Sequence, residues 1–179
     1  MKKYALLVSF FFIAIGFAQD KVLTKNGKIT FEASVPSFEE VKAKNEAVTC
    51  VVNTKTGEIA SLTLVKGFRF KVALMEEHFN ENYIESDKYP KATFKGKIEG
   101  FDYSKITKEG KTYTIKGKLE LHGKSKDITI TATIKKSADG MSLVSNFTVN
   151  TDDFGIDIPS VVSKKVSKKV NVTLDFNLK

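Results

Sequence analysis

The sequence predicts an all-β domain: an antiparallel sheet of about eight strands, closed into a barrel with its apolar face inward, with one short inserted helix. Three observations predict it. Apolar and polar residues alternate strictly along most of the chain, the period-two pattern of strands with one dry and one wet face. Glycine-bearing turn signals separate the alternating runs, which favours short hairpin connections. A single segment, residues 73–85, changes to a four-residue period, as an amphipathic helix does.

The chain begins with a leader. Lys2 and Lys3 form a basic start, Ala5 to Ile15 an apolar run, and Gly16-Phe17-Ala18 a small-residue cleavage pattern before Gln19. This is the layout of a cleaved export signal, and the run is too short for the ~20 apolar residues of a membrane-spanning helix. The leader is therefore assigned to residues 1–18 and a single domain to residues 19–179, with a periplasmic or secreted address.

The strands follow in order. Ile29, Phe31 and Ala33 alternate with Lys28, Thr30 and Glu32. Cys50 shares a face with Val48 and Val52. Ala60, Leu62 and Leu64 lead toward Phe68, Phe70 and Val72. Ala92, Phe94, Gly96 and Ile98 form the next apolar face, then Tyr113, Ile115, Gly117, Leu119 and Leu121. Ile128, Ile130, Ala132 and Ile134 follow, and Val170, Val172, Leu174, Phe176 and Leu178 close the chain. Asn26-Gly27, Thr56-Gly57, Glu109-Gly110, His122-Gly123 and Asp139-Gly140 mark the expected turns. In the helical segment, Met75, Phe79 and Tyr83 recur every four residues beside Leu74 and Ile84. Pro90 ends it by excluding helical geometry at its predecessor.

Eight long strands can close on themselves and remove their edges. Glycine at the inner positions Gly96 and Gly117 lets a strand bend or leaves space. A membrane barrel would turn its apolar face outward. That would force the many Lys, Thr and Glu side chains into a narrow lumen, so the apolar-inside barrel is the better reading.

Composition narrows the function. The formal charge is +8, of which Lys2 and Lys3 carry two, leaving +6 on the mature chain. The densest basic run is Lys164-Lys165-Val166-Ser167-Lys168-Lys169. It fits a solvated loop, or at most transient contact with anionic headgroups. No aromatic-basic motif accompanies it, so nucleic acid is not an expected partner. Cys50 is the only cysteine and reads as a small buried hydrophobe. His78 and His122 are the only histidines. The spacing of His78 and Glu81 is the one hint of a metal pair, against an ordinary polar helix face. No nucleophile elbow, paired-cysteine motif or phosphate loop is present. No catalytic residue, metal or cofactor is therefore expected.

Phe68-Arg69-Phe70, Ala73 to Tyr83 and Ser86-Asp87-Lys88-Tyr89-Pro90-Lys91-Ala92-Thr93-Phe94, with its Tyr-Pro and Phe, resemble stretches of the YceI-like family. Gly117-Lys118-Leu119-Glu120-Leu121-His122-Gly123 is similar to a later family strand. Phe147-Thr148-Val149 and Asp153-Phe154-Gly155-Ile156 are similar to its final signature. The resemblance implies a lipocalin-like antiparallel barrel, usually periplasmic, that encloses a polyisoprenoid or another long amphiphile.

Expected cavity residues are Phe68, Phe70, Leu74, Met75, Phe79, Tyr83, Phe94, Ile98, Phe147 and Phe154, with Tyr83 and Tyr89 near a headgroup at the mouth. The expected partner is a lipid or isoprenoid ligand, and a homodimer is compatible with such a barrel. The alternative is a packed barrel that acts through its surface in envelope stress or on a protein partner.

Overall fold

The computed structural model describes residues 20–179, so the leader expected over residues 1–18 lies outside the described residues. Nine strands form one antiparallel sheet. They are β1 (Lys21–Ser34), β2 (Lys42–Asn53), β3 (Glu58–Leu64), β4 (Arg69–Phe70), β5 (Lys91–Ile98), β6 (Lys111–Leu121), β7 (Lys124–Lys136), β8 (Met141–Asn150) and β9 (Val166–Leu178). The sheet closes because β1 pairs with both β9 and β2. Eight strands make the ring, and β4 is an extra strand against the first residues of β2, pairing Ala43 with Phe70. Closure satisfies the edge hydrogen bonds that an open sheet leaves to solvent.

The two ends of the barrel differ. At one end, the turn at residues 54–57, the connection at 99–110 and the turn at 137–140 cap a packed core. Val48, Cys50, Val52, Ile98, Tyr113, Ile115, Ile134, Met141, Leu143, Phe176 and Leu178 are all buried there, with Ile106, Phe101 and Tyr103 closing the bottom. Each such aliphatic side chain contributes about 1.5–3 kcal/mol on burial. At the other end lie the β1–β2 connection (35–41), the long segment 65–90, the His122-Gly123 turn and the β8–β9 connection (151–165). This end is the mouth.

The helical segment runs from Ala73 to Tyr83, but it is not one regular helix. Helix α1 (Ala73–His78) widens into a π turn over Phe79–Tyr83, where the Ile84 N–H donates to the Phe79 carbonyl at 2.9 Å. A wider turn aligns residues five apart, so Phe79 and Ile84 share the inward face. Glu76 ties the helix to β4. It pairs with Arg69 at 2.7 Å and accepts from the Phe70 N–H at 3.1 Å.

Three sequence expectations change. Asn26-Gly27 is not a turn: it sits inside β1 at a bulge, where the register with β2 shifts. A side chain at Gly27 would meet the Phe176 ring at 2.6 Å, so glycine serves packing there. On β3 the inward face is Ile59, Ser61 and Thr63, while Leu62 and Leu64 face outward. The ladder with β2 and β5 fixes that face, since a one-residue offset turns every side chain over. Finally, Gly96 and Gly117 are directly paired, and the space they leave is taken by the Phe94 ring. A Cβ on Gly117 would lie 2.6 Å from Phe94 Cζ and 2.6 Å from Gly96 Cα.

Candidate functional site

The inner faces of the strands converge on a cavity of about 410 Å3 that opens at the mouth, within the ~300–1,000 Å3 of typical ligand pockets. Its floor is Ile59, Ile115, Leu143 and Phe176, the upper surface of the packed core. Its walls come from alternate residues of successive strands, as strand geometry dictates. Strand β9 shows the transition. Phe176 and Leu178 are fully buried in the core, whereas Val170, Val172 and Leu174 on the same face are half-buried along the cavity.

Phenylalanines dominate the mouth. Phe31 lies with its ring centroid 5.0 Å from Phe68, 5.7 Å from Phe70 and 5.3 Å from Phe79, and Phe70 lies 5.2 Å from Phe79. Tilted and edge-to-face pairs of this kind stabilise by ~0.5–1.5 kcal/mol each beyond area burial. They join β1, β4 and the helix into one apolar wall. Polar side chains are a minority in the lining: Glu39, His78, Asn150, Thr151, Lys165 and Ser167 belong to the connections or element ends at the mouth, with Ser61 and Thr63 on β3 and Thr93 on β5.

Phe68, Phe70, Met75, Phe79, Tyr83, Phe94, Phe147 and Phe154 all line this cavity. Two expected residues fall elsewhere. Leu74 is 57% exposed on the outer side of α1, one helical step from the inward-facing Met75. Ile98 is buried in the packed core below the cavity floor, because it stands four residues further down β5 than Phe94. Tyr89 is also off the cavity. Its ring packs edge-on against His122 at 4.5 Å. Residues the sequence reading left out include Phe31, Val149 and the β9 row of Val170, Val172 and Leu174. Their alternation was visible, but nothing local distinguishes a cavity wall from a packed core.

His122 joins the two segments that frame one side of the mouth. Its Nε2 lies 2.8 Å from Glu85 Oε2, and its Nδ1 lies 3.1 Å from the Phe154 carbonyl oxygen. Glu85 and His122 both adopt left-handed backbone, with φ of 46° and 51°, a conformation uncommon for residues other than glycine. Ile84, next to Glu85, and Phe154 itself are buried and line the cavity.

Groups suited to covalent or metal chemistry are poorly placed. Burial pushes the Cys50 thiol up to about 12, which keeps it protonated and unreactive. Among the described residues, no group of three or more His, Cys, Asp or Glu side chains is placed to hold a metal ion. No helix among them is long and apolar enough to cross a membrane.

A closed antiparallel barrel with a packed base, an apolar interior and a helix beside its open end defines an internal-cavity binding fold. Residues 15–178 match the model of the YceI-like domain, and the chain belongs to the YceI-like family. Among solved structures, it is similar to a polyisoprenoid binding domain from Saccharophagus degradans implicated in plant cell wall breakdown. That match has 13% identity and a TM-score of 0.75, covering 89% of this chain and 97% of that one. It is also similar to Burkholderia cenocepacia BcnA, with 16% identity, a TM-score of 0.70 and coverage of 85% and 94%. The Campylobacter jejuni YCEI protein aligns over 100% of this chain and 99% of its own, at 18% identity and a TM-score of 0.56. No curated protein matches the sequence.

Proposed function

We propose that this protein is an exported carrier or sequestering protein for a long-chain amphiphile, a polyisoprenoid or related lipid, held tail-first in the barrel. The observation that carries this reading is the cavity itself: an apolar interior of about 410 Å3 whose charged lining residues belong to the mouth. Burying a chain there stabilises the complex by ~0.8 kcal/mol per methylene. Affinity therefore needs few polar contacts, which accounts for a site built mostly from Phe, Val, Leu and Ile. The binding described for the Saccharophagus degradans domain supports the choice of isoprenoid. The leader at residues 1–18 supports export to the periplasm or beyond. The reading includes no chemical step, and it assigns no role to a metal or cofactor.

Native protein purified from its own host, extracted with organic solvent and examined by mass spectrometry, tests the proposal. An isoprenoid or acyl lipid in near-stoichiometric amount is expected. Absence of lipid, together with no uptake of isoprenols or fatty acids by the stripped protein, overturns it.

A further inference from the structure

Of the exposed large apolar side chains among the described residues, Leu23, Leu62 and Val144 stand singly on the outer face of strands, and the four most exposed gather at one end. Val161 is 84% exposed, Leu64 55% and Phe38 47%. Together with Leu74 they sit at the mouth end, on or beside the connections around the opening. Isolated exposed apolar residues are ordinary on any protein surface. Apolar residues gathered around the opening of an apolar cavity are an interaction surface. Phe38 and Val161 belong to neighbouring loops, because Ser34 of β1 pairs with Val166 of β9. Both loops continue inward into the cavity lining, through Phe38 and Val41 on one side and Ile158 and Val162 on the other.

Charge differs between the two loops: the Phe38 loop carries Glu39 and Glu40, whereas in the β8–β9 connection and the start of β9 the unpaired Lys164, Lys165 and Lys169 outnumber the unpaired Asp157 and suit an anionic surface. Lys168 is neutralised by Asp152 at 3.0 Å, and Glu40 is near Lys42 at 3.8 Å. Lys164, Lys165 and Lys169 form no ion pair among the described residues and flank Val161 and the start of β9. The acidic Glu77 and Glu81 belong to the helical segment, which borders another part of the mouth end.

We propose that the β8–β9 side of this rim docks on an anionic lipid bilayer, with Val161 entering the interface and Lys164, Lys165 and Lys169 facing the headgroups. The proposal rests on the reading that the cavity takes a membrane-resident amphiphile. Each methylene that must pass through water lowers the population of the aqueous intermediate, and with it the transfer rate, about fourfold. A mouth pressed against the bilayer lets the tail pass from one apolar phase to the other without that exposure. Basic residues beside exposed apolar ones provide the attraction and the insertion that interfacial binding requires.

The test is co-sedimentation of the mature chain with vesicles of phosphatidylcholine alone and of phosphatidylcholine with phosphatidylglycerol, at low and high salt. Binding to the anionic vesicles only, weakened by salt, is expected. Val161→Asp, and separately the pair Lys164→Glu and Lys169→Glu, are expected to lower that binding about tenfold or more. Unchanged circular dichroism in these variants shows that the barrel is intact. Equal binding to neutral vesicles, no binding to anionic ones, or unchanged binding by the folded variants overturns the proposal. A second measurement separates it from the cavity reading: uptake of a fluorescent isoprenol delivered from cyclodextrin. The rim variants are expected to keep that uptake while losing transfer from vesicles. If wild type docks on vesicles but takes up no isoprenol, the cavity reading fails and the docking surface stands.

Discussion

His122 Nε2 lies 2.8 Å from Glu85 Oε2, and this contact ties the end of the inserted helical segment to the β6–β7 turn. The opposite ring nitrogen faces the Phe154 carbonyl. Both partners are acceptors, so the ring donates to both at once only as imidazolium. One side chain thus holds two cavity-lining segments whose backbones, at Glu85 and Gly155, turn through left-handed geometry. Replacing His122 with Ala is expected to destabilise the fold by ~1–3 kcal/mol. Amide exchange should rise at Ile84, Ser86 and Ile156, while the strands of the packed base keep their protection. Hydrogen exchange with mass spectrometry reads both regions together.

The paired glycines predict a steric result. Gly117→Val places a branched side chain where the Phe94 ring and the Gly96 backbone already lie. Overpacking of this kind costs about 1–3 kcal/mol, and it should push Phe94 into the cavity. Phe94→Ala in the same background should recover part of the lost stability. Urea denaturation of the two single variants and the double variant measures the coupling.

Cavity filling separates binding from folding. Val172 lies on the wall, opposite Phe147 in the β8–β9 ladder, and both line the cavity. Val172→Trp should occupy tail space, lower isoprenol uptake at least tenfold, a loss of ~1.4 kcal/mol, and leave the far-UV circular dichroism unchanged. Titration of a fluorescent isoprenol into stripped protein provides the comparison.

Cys50 predicts an alkaline limb in the stability profile. Burial raises its folded-state pKa from 9.0 to about 12. The folded chain keeps the proton over a range in which the unfolded chain has lost it. The contribution is complete below pH 9.0 and is lost as pH rises toward about 12, at ~1.4 kcal/mol per pH unit. Cys50→Ala should remove this slope from urea midpoints measured across that range. In the native state the thiol should resist iodoacetamide, and alkylation should follow unfolding.

Much of the architecture was legible along the chain. Alternation identified most of the barrel strands, because burial on one face leaves a period of two regardless of what lies opposite. The four-residue spacing of Met75, Phe79 and Tyr83 marked the helical segment, and Pro90 marked its exit. The stretch from Phe68 to Phe94 carried the family resemblance. What failed were readings that depend on a partner. Leu62 and Leu64 resemble core residues in isolation, but the ladder to β2 and β5 turns Ile59, Ser61 and Thr63 inward. Asn26-Gly27 resembles a hairpin turn, but Phe176 from the far end of the chain requires glycine inside β1.

The same limit applies to the site. Local sequence dictates which residues point into the barrel, since that follows from each strand's own pleat. It does not say how far down the barrel a residue stands, and depth separates Phe94 at the cavity from Ile98 in the packed core. Nor does it foresee that Phe94 fills the gap left by Gly96 and Gly117, or that His122 bridges Glu85 and Phe154. Those relations arise from register, strand stagger and loop closure, which join residues distant in the chain only once the barrel has closed.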